Sequence, residues 1–430
     1  MKKNKPKSQT KSKALIPKLR FPEFRNAPEW EVKTLGNISG VVRGGSPRPI
    51  DGFLTADKCG LNWLKIGDVD KEAKYVTNTK EKVRKEALSK TREVNPGDLI
   101  LSNSMSFGRP YILKIKTCIH DGWIAISTSI RVNSEYLYYF IASPSCQTYF
   151  VSNAAGSGVQ NLNAEIIKSL SIAFPKKQEQ QKISDCLSSL DELIAAESKK
   201  LEFLKAHKKG LMQQLFPAEG ETVPRFRFPE FRNKSKWRCK PLHKIATPVS
   251  GKALEKNKNN ILTLSGEYGL VLQSEYFGKR IAGENIERYI RISRNDFVYN
   301  DRTTKSFSYG SIKRLSNYEG GIVSPIYKCF RFNAGENPVF WEWYFESGSH
   351  EPQLHGLINE GARAGRFNIS SEKFLSTLAW HPEPPEQEKI ADCLSSLDEL
   401  IATQSQKINK LKTHKKGLMQ QLFPSANEVK

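Results

Sequence analysis

The sequence DCLSSLDELIA occurs twice in this chain of 430 residues, at 185–195 and again at 392–402. A second sequence, HKKGLMQQLFP, follows each copy, at 207–217 and at 414–424. In each case the second copy begins 207 residues after the first, as from 185 to 392. The two pairs of segments indicate that the chain is a duplication, and its architecture can be worked out from them.

The duplication continues outside these segments. RFPEFRN occupies Arg20–Asn26 and Arg227–Asn233, at the same offset. Between the shared segments, residues 40–175 and 247–382 match in length but share little sequence. A solenoid repeats about every 20–50 residues and diverges evenly. Two copies of one frame, each carrying its own diverged domain, therefore explain the pattern better. We use the word frame for the segments that recur at this offset.

The repeated segments follow a heptad pattern. Apolar residues recur at alternating spacings of four and three once Glu197, Lys208, Gln404 and Lys415 are counted as polar members of the same seam. More than four heptads predict a coiled-coil helix of about 50 Å in each copy. The predicted seam consists of Ile183, Leu187, Leu190, Ile194, Leu201, Leu204, Leu211, Leu215, Ile390, Leu394, Leu397, Ile401, Ile408, Leu411, Leu418 and Leu422.

Packing of each helix on its own domain is the alternative, but equally placed polar interruptions favour pairing of the two helices with each other. An antiparallel pair would place one domain at each end of a stiff spacer. Prolines bound both helices: Pro217 and Pro424 follow them, and Pro175 and Pro384–Pro385 precede them.

The fold class is therefore predicted to be α/β (mixed α+β), with two globular domains, two long helices in an antiparallel coiled coil, and pseudo-twofold duplication. The predicted order is a basic flexible tail (1–19), a first domain (20–177), a first helix (178–217), a linker (218–226), a second domain (227–384), a second helix (385–424) and a tail (425–430).

The charge of the chain indicates a polyanionic partner. The formal net charge is +22, and no apolar run approaches the roughly 20 residues that a membrane span needs. Nucleic acid is therefore favoured over a membrane surface. Seven cysteines without a CxxC pair are typical of free thiols in a reducing cytoplasm, where we expect the protein to reside.

In the first domain, polar side chains cluster in three glycine- and serine-containing runs. Side chains of this kind read base edges, and glycine lets a backbone approach closely, although each run alone is equally typical of an ordinary turn. The predicted DNA-binding residues there are Arg43, Ser46, Arg48, Lys65, Asn103, Ser104, Ser106, Arg109, Ser157, Gln160, Asn161 and Asn163.

The second domain is more basic at comparable places. Its arginines and lysines are expected mostly to hold phosphates, which sets affinity and salt dependence rather than sequence preference. The predicted DNA-binding residues there are Arg302, Thr303, Thr304, Lys305, Arg363, Arg366 and Asn368.

The sequence shows no catalytic machinery. It contains neither a G-x-x-x-x-G-K-[ST] phosphate loop nor the [ND]-P-P-[FYW] element of adenine methyltransferases. His350 and His355 are five residues apart, and no cysteine or glutamate set completes a metal site around them. We therefore expect no catalytic residue, no metal and no bound cofactor in this chain.

In order along the chain, GGSPRP, NWLKIGDVD, NPGDLILSNSMSFGR and GSGVQNLNAEIIKSLSIAFPKKQEQQKI precede the first long helix. GARAGRFNISSEKFLSTLAWHPEPPEQEKI completes the second copy. In this order and duplication, the chain resembles the specificity subunits of type I restriction–modification systems. The second copy departs from the pattern at its start, where TPVSGKALEKN replaces the GGSPRP loop.

The resemblance implies two target-recognition domains on an antiparallel coiled-coil spacer, bound to double-stranded DNA. It also implies two methylation subunits that use S-adenosylmethionine and up to two restriction subunits that use ATP and Mg²⁺. Two alternatives stay open: a related system whose partner is a fused nuclease–methyltransferase, and a coiled-coil adaptor that does not bind DNA.

Overall fold

The chain folds into two compact units, seen in a computed structural model. The first unit runs to Ser198 and resumes at Gln406, and the second runs from Lys199 to Ser405. Each unit therefore contains one globular domain and half of each long helix. The structure describes residues 15–103, 107–129, 131–154, 162–253, 260–279, 286–357 and 368–424.

The domain of the first unit is built on two five-stranded sheets, in the orders β3-β6-β4-β10-β7 and β2-β11-β8-β9-β5, and a β1-β12 pair. Its strands are β1 Glu31–Thr34, β2 Gly40–Arg43, β3 Leu54–Thr55, β4 Leu61–Leu64, β5 Tyr75–Val76, β6 Glu81–Val83, β7 Arg92–Val94, β8 Leu99–Ser102, β9 Pro110–Leu113, β10 Thr117–Ile119, β11 Trp123–Ser127 and β12 Ser171–Phe174. Its helices are α1 Leu35–Ile38, α2 Ser134–Ala142, α3 Pro144–Asn153, α4 Ala164–Lys168 and the long α5 Lys177–Leu215.

The β2-β11-β8-β9-β5 sheet has two apolar faces. Because successive strand residues point to opposite faces, Leu99 and Leu101 of β8 pack toward the helices, whereas Ile100 packs with residues of the other five-stranded sheet. Strand β11 alternates in the same way. A continuous apolar run therefore forms a strand that is buried on both sides.

The domain of the second unit has a smaller central sheet, β14-β21-β18-β19, together with the pairs β13-β22, β15-β16 and β17-β20. Its strands are β13 Arg238–Pro241, β14 Ala246–Pro248, β15 Leu262–Ser265, β16 Gly269–Leu272, β17 Ile290–Ser293, β18 Phe297–Asn300, β19 Ser311–Arg314, β20 Gly320–Val323, β21 Lys328–Phe332 and β22 Leu378–His381. Its helices are α6 Gln273–Phe277, α7 Pro338–Glu346, α8 Glu351–His355, α9 Ser371–Leu375 and the long α10 Pro384–Leu422.

The central sheet of the second domain is also covered on both faces. Phe297 and Tyr299 of β18 pack in the core that includes the long helices, and Val298 packs with the two-stranded sheets. The two domains thus share a layered arrangement although their strand numbers differ.

The long helices pair antiparallel within each unit. In the first unit, Asp191 of α5 pairs with Lys415 of α10, and Glu197 lies 2.5 Å from Lys407. In the second unit, Lys208 of α5 pairs with Asp398 of α10. Residue numbers rise along one helix where they fall along the other, so the two helices run antiparallel. Every predicted seam residue is buried or half-buried.

The helix ends supply core residues to the unit in which they lie. Leu422 and Phe423, from the second repeat, are buried in the core of the first unit. Leu215 and Phe216, from the first repeat, are buried in the core of the second unit. Each unit is therefore completed by a segment from the other repeat.

The frame forms the same buried ion pair in both units. The Arg20 guanidinium donates to both carboxylate oxygens of Glu179, at 2.7 and 2.8 Å. Arg227 donates to Glu386 in the same way, at 2.7 and 2.6 Å. Both arginines also donate to two main-chain carbonyls of the segment before Trp30 or Trp237.

Several boundaries differ from the sequence predictions, since α5 covers Lys177–Leu215 rather than 178–217 and α10 covers Pro384–Leu422 rather than 385–424. Helix α10 begins at Pro384 rather than after it, because the first turn of a helix needs no N–H from that residue. Leu15 and Pro17, assigned above to the flexible tail, are buried, and the Leu15 carbonyl accepts from Trp30 N at 3.0 Å. All seven cysteines are free thiols, as the sequence predicts.

Candidate nucleic-acid interface

The GGSPRP segment forms a loop that leaves the end of β2 and lies against two other segments. A Cβ on Gly44 would stand 2.2 Å from the carbonyl oxygen of His120. A Cβ on Gly45 would stand 2.5 Å from the carbonyl oxygen of Lys90. Glycine is required at both positions because the backbone approaches these carbonyls too closely for any side chain.

Four of the predicted DNA-binding residues converge on one residue, Asp121. Its main-chain carbonyl accepts hydrogen bonds from Arg43 Nε at 3.0 Å and from Asn103 Nδ2 at 3.1 Å. Its carboxylate accepts from Ser46 Oγ at 2.8 Å and lies 3.7 Å from a terminal nitrogen of Arg48. Asp121 therefore ties the loop after β2 to the segment after β8.

Asp121 remains ionised in these surroundings. Burial raises the pKa of its carboxyl, but the hydrogen bond from Ser46 and the side chains of His120, Arg43 and Arg48 outweigh burial and hold the pKa below its ordinary value. The Arg48 side chain is 84% exposed. The arrangement thus presents the Arg48 guanidinium to solvent, beside a carboxylate and on a loop whose backbone is closely packed.

The remaining described candidates of the first domain make contacts elsewhere. Lys65 Nζ donates to Glu81 at 2.5 Å, and this hydrogen bond raises the pKa of the lysine. Arg109 lies 3.5 Å from Glu72. Asn163 caps α4 by accepting from Ile166 N at 2.9 Å, so its side chain has a structural role.

In the second domain, Arg302, Thr303, Thr304 and Lys305 lie together in the loop between β18 and β19. The loop turns tightly, since Thr304 N donates to the Phe307 carbonyl at 3.0 Å. Arg302, Thr304 and Lys305 are exposed, and Thr303 is half-buried. These side chains therefore form a short basic surface.

Phe307 anchors this loop. Its ring lies against Gly266, where a Cβ would stand 2.2 Å from the ring edge. Asn368 lies apart from the loop in the sequence, is exposed, and has a φ of 51°. The other predicted residues lie outside the described part of the chain: Ser104, Ser106, Ser157, Gln160, Asn161, Arg363 and Arg366.

Sequence reasoning missed Asp121, Phe307 and Gly266. A charged residue followed by glycine between two buried strands is typical of a turn. The HDG segment at 120–122 therefore predicts a turn, and nothing in it indicates that Asp121 contacts four other side chains. Phe307 and Gly266 meet only through tertiary packing.

Within the described ranges, no three His, Cys, Asp or Glu side chains are grouped so as to hold a metal ion. Nor does any helix of that part of the chain combine the length and the apolarity that crossing a membrane requires.

Residues 28–206 match the family described as the type I restriction modification DNA specificity domain. This part of the chain is therefore similar to that family. The match covers the first domain and most of α5, and the second half of the chain repeats its frame 207 residues later. The resemblance predicted from the sequence motifs is confirmed.

Two curated relatives come from Methanocaldococcus jannaschii. The type I restriction enzyme MjaIX specificity subunit is 27% identical over 181 residues, which cover 41% of this chain and 41% of the relative. The MjaVIII specificity subunit is 26% identical over 203 residues, covering 46% of this chain and 43% of the relative. The chain thus spans less than half the length of the curated relatives it matches.

Two solved structures share the fold. A chain from a study of complex assembly and conformational transition of the type I R-M system aligns with 91% of this chain and 96% of its own, with a TM-score of 0.55 and 14% identity. The type I restriction–modification S subunit from M. genitalium aligns with 95% of this chain and 99% of its own, with a TM-score of 0.51 and 14% identity. The mixed α/β fold with two long helices is therefore a known one.

Proposed function

We propose that this protein is the non-catalytic DNA sequence-specificity subunit of a type I restriction–modification complex. In this proposal each globular domain reads one half of an asymmetric, bipartite target in double-stranded DNA. One observation carries the proposal: residues 28–206 match the DNA specificity domain family, and the same frame recurs around a different domain in the second half. Two different domains read two different half-sites, unlike the palindromes of symmetric dimers.

The experiment that tests this proposal is a map of methylated adenine in DNA from cells with and without this gene, with the neighbouring genes expressed in both. A split motif with a fixed unspecified gap should disappear when the gene is deleted. Identical maps would contradict the proposal and favour a coiled-coil adaptor. Loss of the motif in a system whose only partner is a fused nuclease–methyltransferase would assign the chain to that related class.

The long helices are proposed to set the gap between the half-sites. Each is 39 residues long and continuous from one unit into the other. One heptad inserted at matched positions in both helices adds roughly 10 Å, or about three base pairs at ~3.4 Å each. The methylated motif should gain that many unspecified pairs, and an unchanged gap in an active complex would contradict this role.

The same helices are proposed to dock two methylation subunits. DCLSSLDELIA is identical in both helices, including its exposed positions, whereas the middles of the helices differ: AESKKLEFLKA at 196–206 and TQSQKINKLKT at 403–413. Leu193 and Leu400 are matched residues that are 41% and 54% exposed. Pairing of the helices does not require identity at exposed positions, so we infer that one kind of partner binds this surface twice.

Replacement of these two leucines by arginine tests whether the methylation subunits bind here. Leu193→Arg and Leu400→Arg should each reduce the number of methylation subunits that copurify from two to one, and the double variant should retain none. Phe203→Arg is the control, because Phe203 is exposed on α5 but has Lys410 at its matching position. Full retention by the double variant would exclude this surface.

The proposed partners carry the chemistry of the complex. The methylation subunits would bind S-adenosylmethionine, and up to two restriction subunits would use ATP and Mg²⁺ for translocation and cleavage. This chain would determine the DNA sequence at which the complex binds. Its affinity for DNA should fall steeply as the salt concentration rises, because phosphate contacts release counterions.

A further inference from the structure

Arg48 is a highly exposed cation of the candidate interface that lies beside Asp121, the residue that ties the loop after β2 to the segment after β8. Its guanidinium lies beside the carboxylate of Asp121, which also accepts a hydrogen bond from Ser46. The carbonyl of Asp121 holds Arg43 and Asn103, and the loop backbone is closely packed at Gly44 and Gly45. One residue thus organises both the loop and the side chain that the loop exposes.

An arginine beside a carboxylate attracts a phosphate less than a free arginine does, because the neighbouring negative charge offsets part of its own. It is well suited to direct reading of a base, where geometry matters more than net charge. Arginine reads guanine through two hydrogen bonds to O6 and N7, and this contact needs a guanidinium plane that is oriented beforehand.

We infer that Asp121 is a positioning residue that orients Arg48 to read a guanine in the half-site of the first domain. The inference rests on the proposed function and adds to it one base pair and the two residues responsible for it. Asp121 acts through Arg48 and does not touch DNA itself.

Two variants test the orientation of the Arg48 side chain while keeping the contacts that hold the loop. Asp121→Asn keeps the main-chain carbonyl that holds Arg43 and Asn103, and its amide oxygen still accepts from Ser46, but the charge beside Arg48 is lost. Arg48→Lys keeps the positive charge but not the bidentate geometry. Glu93→Gln is the matched control, since Glu93 lies in the same domain, pairs with Lys116 at 2.8 Å and has a side chain 30% exposed, close to the 32% of Asp121.

The intact complex carrying each variant is expressed in the deletion strain and its methylated sites are mapped. Arg48→Lys should lower discrimination at one G·C pair of one half-site by about 5- to 150-fold, the range of a lost bidentate base contact. Asp121→Asn should lower discrimination at the same base pair by a smaller factor and leave recognition of the other half-site unchanged. Glu93→Gln should leave the wild-type motif.

The double variant completes the test. If Asp121 acts only through Arg48, adding Asp121→Asn to Arg48→Lys should change nothing further. An unchanged motif in Asp121→Asn, equal loss at both half-sites, or additive effects in the double variant would overturn the inference. So would a wild-type motif in Arg48→Lys, which would indicate a phosphate contact. A wild-type chain that restores no methylation at all would instead overturn the proposed function.

Discussion

The two domains pack against the long helices with different kinds of apolar side chain. Both place a sheet against the long helices, but the first presents mainly aliphatic residues such as Leu99, Leu101 and Ile124. The second presents aromatic ones, including Phe332 and Trp341, whose rings stack at 4.5 Å with an interplanar angle of 9°. An apolar face of the right shape is therefore what the frame requires, and the identity of its residues is free to vary.

The frame, in contrast, repeats its polar contacts pair by pair. Gln180 donates to the carbonyl of Pro175 at 2.8 Å, and Gln387 donates to that of Pro382 at 3.0 Å. The main-chain N–H of Asn133 and that of Asn337 each donate to one of these glutamines at 2.9 Å. Hydrogen bonds have directional requirements that apolar contacts lack, so the polar part of the frame tolerates less change than the domains.

The largest expected effect comes from removing the aromatic residue at the end of each long helix. Phe216→Ala should destabilise the second unit and Phe423→Ala the first, each by about 3–5 kcal/mol, because both side chains are buried in aromatic surroundings. Amide hydrogen exchange of peptides from each unit measures this. Phe203→Ala, at an exposed position of α5, should change little. Loss of protection in the unit of the same repeat would contradict the assignment of helix ends.

The next effect concerns the buried ion pairs of the frame. Glu179→Gln and Glu386→Gln each leave an arginine without its charged partner, which costs about 3–5 kcal/mol when a buried pair is broken. We expect the loss near the lower end of this range, because glutamine still offers one acceptor. Urea unfolding with unit-specific peptide mapping is the measurement. Glu23→Gln, which breaks the more exposed pair with Lys182, should leave the urea midpoint nearly unchanged, because solvent screens an exposed ion pair.

Lowering the pH should destabilise the second unit more than the first. Burial lowers the pKa of His350 to about 3, whereas the unfolded chain binds a proton near pH 6.5. The stabilisation is therefore complete above pH 6.5 and is lost as the pH falls toward 3, by about 2 kcal/mol at pH 5. Cys146 lies at the matching place in the first unit, four residues beyond α2 as His350 is beyond α7, and burial raises the pKa of its thiol.

His350→Leu isolates this contribution. Urea midpoints of the second unit at pH 7 and pH 5 should differ less in the variant than in the wild type, while those of the first unit should be unaffected by the substitution. The same pH dependence in both proteins would show that His350 does not carry it.

The smallest effect distinguishes two matched ion pairs on the helices. Asp191 pairs with Lys415 and also accepts a hydrogen bond from Tyr139 at 2.6 Å, whereas Asp398 pairs with Lys208 at a more exposed site. Asp191→Asn should therefore cost about 1 kcal/mol and Asp398→Asn less than about 0.5 kcal/mol. Equal losses in urea unfolding would mean that the lower exposure of Asp191 and the charge on the acceptor of the Tyr139 hydrogen bond add nothing.

The candidate site was predictable only in part, for a physical reason visible at Arg48. Its residue type and its glycine-containing loop are local features, and they were enough to select Arg43, Ser46, Arg48 and Asn103. Asp121, which holds these side chains, is more than 70 residues from the loop after β2, as in the Arg43 contact across 78 positions. No periodicity connects such distant positions, so the contacts of Asp121 could not be read from the sequence. The capping role of Asn163 is a local feature, and the assignment of this residue to DNA binding overlooked it.

The duplication, the long helices and their seam followed from the sequence, because an offset of 207 residues and a heptad spacing are properties of the chain itself. Only the tertiary structure decided which unit each half of a helix completes and that Phe423 belongs with the first unit. Identical LFP segments end both helices, so sequence alone gives them no preference. Packing against Tyr136 in one unit and Trp237 in the other makes the distinction, because burial depends on neighbours that the local sequence does not contain.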